Sequence, residues 1–454
     1  MTPMRPTPGT AWPYEFPRVW RFTLPNGLRG IVAPVHRLPV VTVLTVVDAG
    51  ASGDDAGHEG LALLTAAALA EGSEHLSGPA LVDAFERLGT SVESGGDWDE
   101  ATVQITITPA RLDYALELLA EMLVMPRFAE ADVERLKTER LAELLQQRVE
   151  PRSLADERFA RAVYAPLSRY ARAAGGTPAS VRSLEAGQAR TWHAARYVSA
   201  TTTIILAGDV SPEQAHEMVA RHFGAWSGSA LATPPVHADA REYTRRVHVV
   251  AKSDAPQSEL RVGHVGLPRK HPDYFAAVIM NAVLGGLFSS RINLNLREAH
   301  AYTYGAHSAF DWRRAAGPFV VATAVKTEVT AAAVREILHE IDRIRDAEVT
   351  ASELELATNY LAGVFPIRYE TTEAVATALM LATVYDLPEE YFTTYRDRIG
   401  AVSRAEVLAA ARAHLNPDAL QVLAVGDAPA IAEPLAALQL GPLDTSNAEA
   451  GEDE

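Results

Sequence analysis

The chain has 454 residues, 41 Lys+Arg against 58 Asp+Glu, a formal net charge of −17 and no cysteine. That length gives two or more domains, each with a core of its own. The negative balance disfavours nucleic acid and anionic membrane surfaces as partners, and the missing cysteines exclude disulfides, cysteine-ligated zinc and thiol catalysis.

An acidic surface serves solubility or suits basic peptides. Residues 1–17 read as an N-terminal arm; their start lacks the apolar core of a signal peptide. The longest apolar runs, near 61–70 and 40–47, are too short to cross a bilayer. A cytoplasmic location is expected, or a periplasmic one if a leader was removed.

Residues 19–24 and 28–33 alternate around Pro25-Asn26-Gly27 and predict a hairpin. The β-branched run 39–47 predicts a buried strand. Helical patterns follow at 60–71 and 79–88, and ATVQITIT at 101–108 alternates as a half-buried strand. Amphipathic helices are expected over 111–123 and 129–148, split by Pro126. Helix 185–195, strand 202–206 and helix 212–223 complete a first domain spanning 18–226. Residues 227–243, with a Ser-Gly-Ser and a Pro-Pro, read as a linker.

A second domain, 244–436, repeats the order. Strands are expected at 245–251, 260–266, 302–310 and 318–325, and helices at 274–284, 288–300, 331–345 and 351–364. Residues 183–209 and 402–427 share one plan of helix, turn, β-run and Gly-Asp, and 128–133 echoes 349–354. The offset of roughly 220 residues is too long for a solenoid and indicates a duplicated domain. Strands mixed with helix pairs indicate an α+β class. Residues 437–454, ending Gly-Glu-Asp-Glu, read as a disordered acidic tail.

One segment carries candidate chemistry: Leu284-Gly285-Gly286-Leu287-Phe288-Ser289-Ser290-Arg291 running into Leu296-Arg297-Glu298-Ala299-His300-Ala301-Tyr302-Thr303-Tyr304-Gly305. It resembles the Arg/Tyr signature of pitrilysin/insulysin-type zinc metallopeptidases and of processing peptidases. FTLPNGL at 22–28 and 176–184 match the same family. The resemblance implies two similar α+β domains, each an antiparallel sheet covered by helices, in a clam-shell arrangement. It also implies that Tyr304 donates to the oxyanion and Arg297 holds a backbone carbonyl of bound peptide, with Gly285, Gly286 and Tyr302 lining the substrate. Read from strand alternation, Tyr302 and Tyr304 share one face. A plainer alternative is an Arg in a helix-end salt bridge and a Tyr packed at a sheet edge.

The family takes zinc from H-x-x-E-H, whose two histidines share a helix face. Here the matching positions are Leu63, Ala66 and Ala67, so no metal is expected on this chain. The family's third ligand falls near Glu143, which alone reads as a solvated face residue. His216 and His222 are six apart and lie on different faces. No G-x-S-x-G, P-loop or G-x-G-x-x-G occurs. The expectation is a zinc-lacking Arg/Tyr subunit, inactive alone, whose homologous partner carries H-x-x-E-H and zinc and cleaves peptides. The alternative is an inactive scaffold or peptide-binding subunit resembling bc1 core proteins.

Overall fold

The computed structural model describes residues 13–228, 231 and 235–448. Part of the expected linker, the start of the arm and the terminal Gly-Glu-Asp-Glu lie outside them. The first half runs β1 (Trp20–Thr23), β2 (Arg29–Pro34), β3 (Val41–Val47), α1 (Leu61–Ala68), α2 (Gly78–Arg87), β4 (Glu93–Gly96), β5 (Ala101–Ile107), α3 (Leu112–Val124), α4 (Glu130–Val149), α5 (Pro151–Val163), α6 (Pro178–Ser183), α7 (Ala186–Arg196), β6 (Thr202–Gly208) and α8 (Pro212–Phe223). Gly27, at φ 88, makes the turn of the predicted hairpin. A Ser211–Gln214 capping box starts α8.

The second half runs β7 (Arg246–Ala251), β8 (Gln257–Val265), α9 (Tyr274–Asn281), α10 (Arg291–Asn293), β9 (Ala306–Phe310), β10 (Pro318–Lys326), α11 (Thr330–Asp346), α12 (Ala351–Arg368), α13 (Thr372–Val384), α14 (Tyr391–Ala401), α15 (Arg404–His414), β11 (Gln421–Gly426), α16 (Ala428–Ala436) and β12 (Leu443–Asn447). The two sheets have equivalent orders, β1-β2-β6-β3-β5-β4 and β12-β7-β11-β8-β10-β9. The paired segments read as a duplication fall on α7–β6 and α15–β11, and on the starts of α4 and α12.

The α+β, two-domain expectation holds, with two corrections. The sheets are mixed rather than antiparallel, because β2–β6, β7–β11 and β7–β12 pair in parallel. Residues 443–447 form strand β12 rather than disordered tail: paired with β7, their backbone amides and carbonyls gain a ladder that composition does not register. Helices α5, α6, α13, α14 and α16 and strand β4 were not expected. The stretch Tyr274–Ala299 is apolar enough by composition to cross a bilayer. It is instead largely buried in the second core, and Leu287 breaks it with extended backbone.

The two halves cover each other. One face of the first sheet packs on its own helices α1, α3, α7 and α8. The opposite face, with Ile31, Leu44, Val46 and Ile205, is joined to Val375, Ala376 and Leu379 of α13 from the second half. In return α5, from the first half, lies on the second sheet, where Leu154 and Phe159 meet Val250, Leu423 and Val425. Both faces of β3 are therefore apolar, and all seven of its residues are buried. Under α5, the guanidinium of Arg261 is 2% exposed and donates to Asp156 of α5 at 2.6 Å and to Glu259 at 2.9 Å. A Cβ on Gly263 would lie 1.9 Å from the Phe319 carbonyl oxygen, so glycine is required for this approach.

The equivalent hairpins β4–β5 and β9–β10 meet tip to tip. Arg314 donates its amide to Asp99 at 2.9 Å and pairs with Asp48 at 2.6 Å, and the Arg313 guanidinium lies over the Trp98 and Tyr170 rings. Glu100 is buried in this contact. Its carboxyl is pushed up to about 7, first by burial and then by Asp97 and Asp99, with Arg314 opposing.

Phe159→Ala is expected to cost about 3–5 kcal/mol while leaving a single unfolding transition by urea titration; two separate transitions would show that the exchanged helices do not couple the halves. Because the folded state holds the Glu100 proton more tightly, this group's contribution to stability falls as pH rises from 4.5 to about 7. Between those pH values the parent should therefore lose about 3 kcal/mol relative to Glu100→Gln. Parallel stability–pH curves for the two proteins would refute that assignment.

Candidate functional site

Helix α1 is aimed by its N-terminus. Gly60 is left-handed, at φ 97, and a Cβ there would lie 2.9 Å from the Gly175 carbonyl oxygen. Asp54 accepts from the amides of Gly60 at 2.8 Å and Ala62 at 2.9 Å, satisfying donors that the first turn leaves free. Arg169 clamps the same carboxylate at 3.1 Å. Burial still raises the Asp54 carboxyl to about 6, more than Arg169 and the two amides lower it.

A cavity of about 280 Å³ opens beside this helix, lined by Leu63 and Ala67 of α1, Arg140 and Glu143 of α4, and Gly95 and Gly96 of β4. Two of the three positions that correspond to the zinc motif thus line it, while Ala66 is buried in the core. None of the three carries a donor atom. Glu143 does reach the cavity, but Arg140 takes its carboxylate at 3.0 Å and also donates to the Gly175 carbonyl at 3.0 Å. A guanidinium beside the remaining carboxylate repels a cation. These residues do not fit zinc, as the sequence led us to expect. Arg140 is the feature that sequence reasoning passed over, although an Arg–Glu pair three apart on a helix is a readable signal.

The Arg/Tyr segment is built differently from the sequence expectation. Helix α9 continues as a π-turn, Ala282–Gly286, and α10 continues as another, Leu294–Ala299. Gly285 is buried, and a Cβ on it would lie 2.6 Å from the Ser308 amide. It therefore allows close approach to β9 rather than presenting backbone at the surface, whereas Gly286 is exposed. Asn281 bridges to Ser308, and Asn293 holds both the Phe288 carbonyl at 2.6 Å and the Ala306 amide at 3.0 Å. Arg291 forms a two-pronged pair with Glu353 at 2.7 and 3.0 Å, tying α10 to α12.

Strand β9 starts at Ala306, so Tyr302 and Tyr304 stand in the preceding turn and do not share a strand face. The turn arises because Ala301 is left-handed, at φ 54, and because the Thr303 hydroxyl bonds both the amide and the carbonyl of Gly305. Tyr302 packs half-buried on the second core with His300 beside it, and Tyr304 is 93% exposed. Arg297 lies on the π-turn with its guanidinium 4.5 Å from the Phe288 ring centre and 3.6 Å from Glu298. No residue of this segment lines the α1 cavity. The chain thus carries two separate surfaces, one without metal donors and one with an accessible phenol and guanidinium.

Known proteins share this architecture. Residues 33–172 match the family described as Insulinase (Peptidase family M16), and residues 183–361 match the Peptidase M16 inactive domain. A crystal structure of a peptidase M16 inactive domain from Pseudomonas fluorescens is similar with a TM-score of 0.84 and 27% identity, covering 90% of this chain and 98% of that one. A relative named non-peptidase homolog YmxG, from Helicobacter pylori, is 24% identical over 84% of this chain and 87% of its own. A probable mitochondrial-processing peptidase subunit beta from Arabidopsis thaliana is 24% identical over 75% of this chain and 66% of its own. The chain belongs to the M16 peptidase family, as a member whose zinc-motif positions hold no metal donors.

Proposed function

We propose that this chain is the non-zinc subunit of a heterodimeric metalloendopeptidase, paired with a homologous subunit that supplies zinc and the general base. The observation that carries the reading is the combination of an α1 helix without metal donors and an accessible Arg297 and Tyr304. An exposed phenol contributes nothing to a core, but it can donate to an oxygen that gains negative charge as a peptide carbonyl is attacked. A guanidinium offers several fixed donors, enough to hold a peptide carbonyl while leaving one edge on Glu298. Gly286, two residues before the Phe288 ring that Arg297 faces, is exposed.

Apolar side chains exposed on the same group of elements support a partner face: Phe288, Leu294, Leu356, Tyr360 and Ile367. The last three recur along α12 on one side of the helix. Exposed apolar surface of this kind marks association sites. The relative named a processing-peptidase subunit supports the paired arrangement. The relative named a non-peptidase homolog favours a second reading, an inactive scaffold or peptide-binding subunit.

The test is reconstitution with a homologous H-x-x-E-H protein from the same cells. The chain alone is expected to leave peptides uncut, and the pair to cut them in a chelator-sensitive way. Tyr304→Phe should then lower kcat by about 100-fold, and Arg297→Ala should chiefly raise KM, with both variants still co-eluting with the partner. Unchanged kinetics in both variants, or a complex without turnover, moves the assignment to the scaffold reading.

A further inference from the structure

Away from both surfaces described above, three metal-ligand side chains converge where α9 begins and α15 ends. His271 lies in the turn that enters α9, Asp273 is the residue that caps this helix, and His414 is the last residue of α15. The two helices pack along each other. The His414 Nε2 lies 2.7 Å from Asp273 Oδ2, and the His271 Nδ1 lies 4.0 Å from the same oxygen. The imidazole rings stand 4.9 Å apart, edge to face. The three ligand atoms lie within 4.8 Å of one another, and among the described residues no other group of three or more such side chains converges this way.

We propose that His271, Asp273 and His414 form a binding site for a zinc-type divalent ion that clamps α9 to α15. Two imidazoles and one carboxylate are a donor set for late first-row ions and not for magnesium or calcium, which take oxygen. Zinc–nitrogen and zinc–oxygen bonds of about 2.0–2.2 Å place tetrahedral ligands about 3.3 Å apart. The observed separations bracket that value, so side-chain rotations suffice and neither helix has to move.

The scaffold around the donors is rigid. Arg269, two residues before His271, is buried, stacks on the Tyr274 ring at 3.7 Å and donates to the Tyr391 hydroxyl at 2.6 Å. The neighbouring cation, Lys270, is engaged with Asp386. The Asp273 amide donates to His271 Nδ1 at 3.1 Å, so a metal that takes this lone pair displaces that one amide bond. A fourth position, towards solvent at the half-exposed Asp273 carboxylate, is left for water. Since α9 runs directly into the π-turn that carries Gly285 and Gly286, an ion here would stiffen the base of the Arg/Tyr segment.

The competing description is a plain His414–Asp273 ion pair at a helix C-terminus, where a cationic histidine is favourable in any case. His271→Gln separates the two, because it removes a metal ligand and leaves that pair intact. The experiment is calorimetric titration of the purified, tag-free chain with zinc chloride, repeated with magnesium and calcium, alongside thermal melts. Expected is one zinc per chain with a raised Tm and no response to the other two ions. In His271→Gln and in His414→Gln the affinity should fall by more than about 100-fold, beyond the loss of an outer partner. His300→Gln, in the Arg/Tyr segment, should bind like the parent. Zinc that fails to bind the folded parent, or binds both ligand variants with full affinity and stoichiometry, would overturn the site. The measurement needs neither partner nor peptide, so its outcome is independent of the heterodimer reading.

Discussion

Everything in this molecule rests on a reciprocal loan of helices. Each sheet needs cover on two faces, and each half supplies helices for one face of its own sheet and one helix for its counterpart's. The loan makes β3, β6 and β11 buried from both sides, which is why every residue of these strands is buried instead of every second one. It also makes Arg261 tolerable. A guanidinium at 2% exposure is costly unless its donors are satisfied; Glu259 of its own strand meets one, and Asp156 and the Arg152 carbonyl of α5 meet others only because α5 is in place.

The same architecture accounts for the uneven fate of the two surfaces. Helix α1 is aimed by Gly60, Asp54 and Arg169, so the helix that corresponds to the family's metal motif is firmly placed although it carries no donors. Apolar Leu63 and Ala67 and the Arg140–Glu143 pair now fill the same wall. In the other half, internal bonds from Asn281, Asn293, Arg291 and Thr303 hold a segment whose Tyr304 side chain is free of the core. Such a loop, rigidly supported and exposed at its tip, is where binding chemistry resides on a stable scaffold.

Helices α3, α4, α8 and α11 were legible within a residue or two, and so were the hairpin and the duplication. Helix α5 was missed because its apolar stripe is thin, Leu154, Ala155, Phe159, Ala162 and Val163 among charged neighbours, and its partner sheet is far away in sequence. Strand β12 was missed because LDTSN has no strand pattern; pairing with β7 alone orders it. At the Arg/Tyr segment the spacing was readable but the geometry was not. Two π-turns and a left-handed Ala301 shift the phase of the chain, so simple alternation from Tyr302 to Tyr304 fails. The convergence of His271 and His414 was invisible for a simpler reason: the two lie far apart in sequence and only the α9–α15 packing joins them.

The two sheets are finished at one margin by opposite ends of the chain, β1 before the first half and β12 after the second, in equivalent positions. Each of these strands pairs the outer row of β2 or β7 and becomes the sheet edge in its place. The opposite margins, β4 and β9, remain open and are only four and five residues long. Each sheet therefore keeps two edges, β1 and β4 in the first and β12 and β9 in the second, and each of these edge strands is only four or five residues long. Shortness at all four edges, with two glycines in β4, leaves each too small to template runaway self-association.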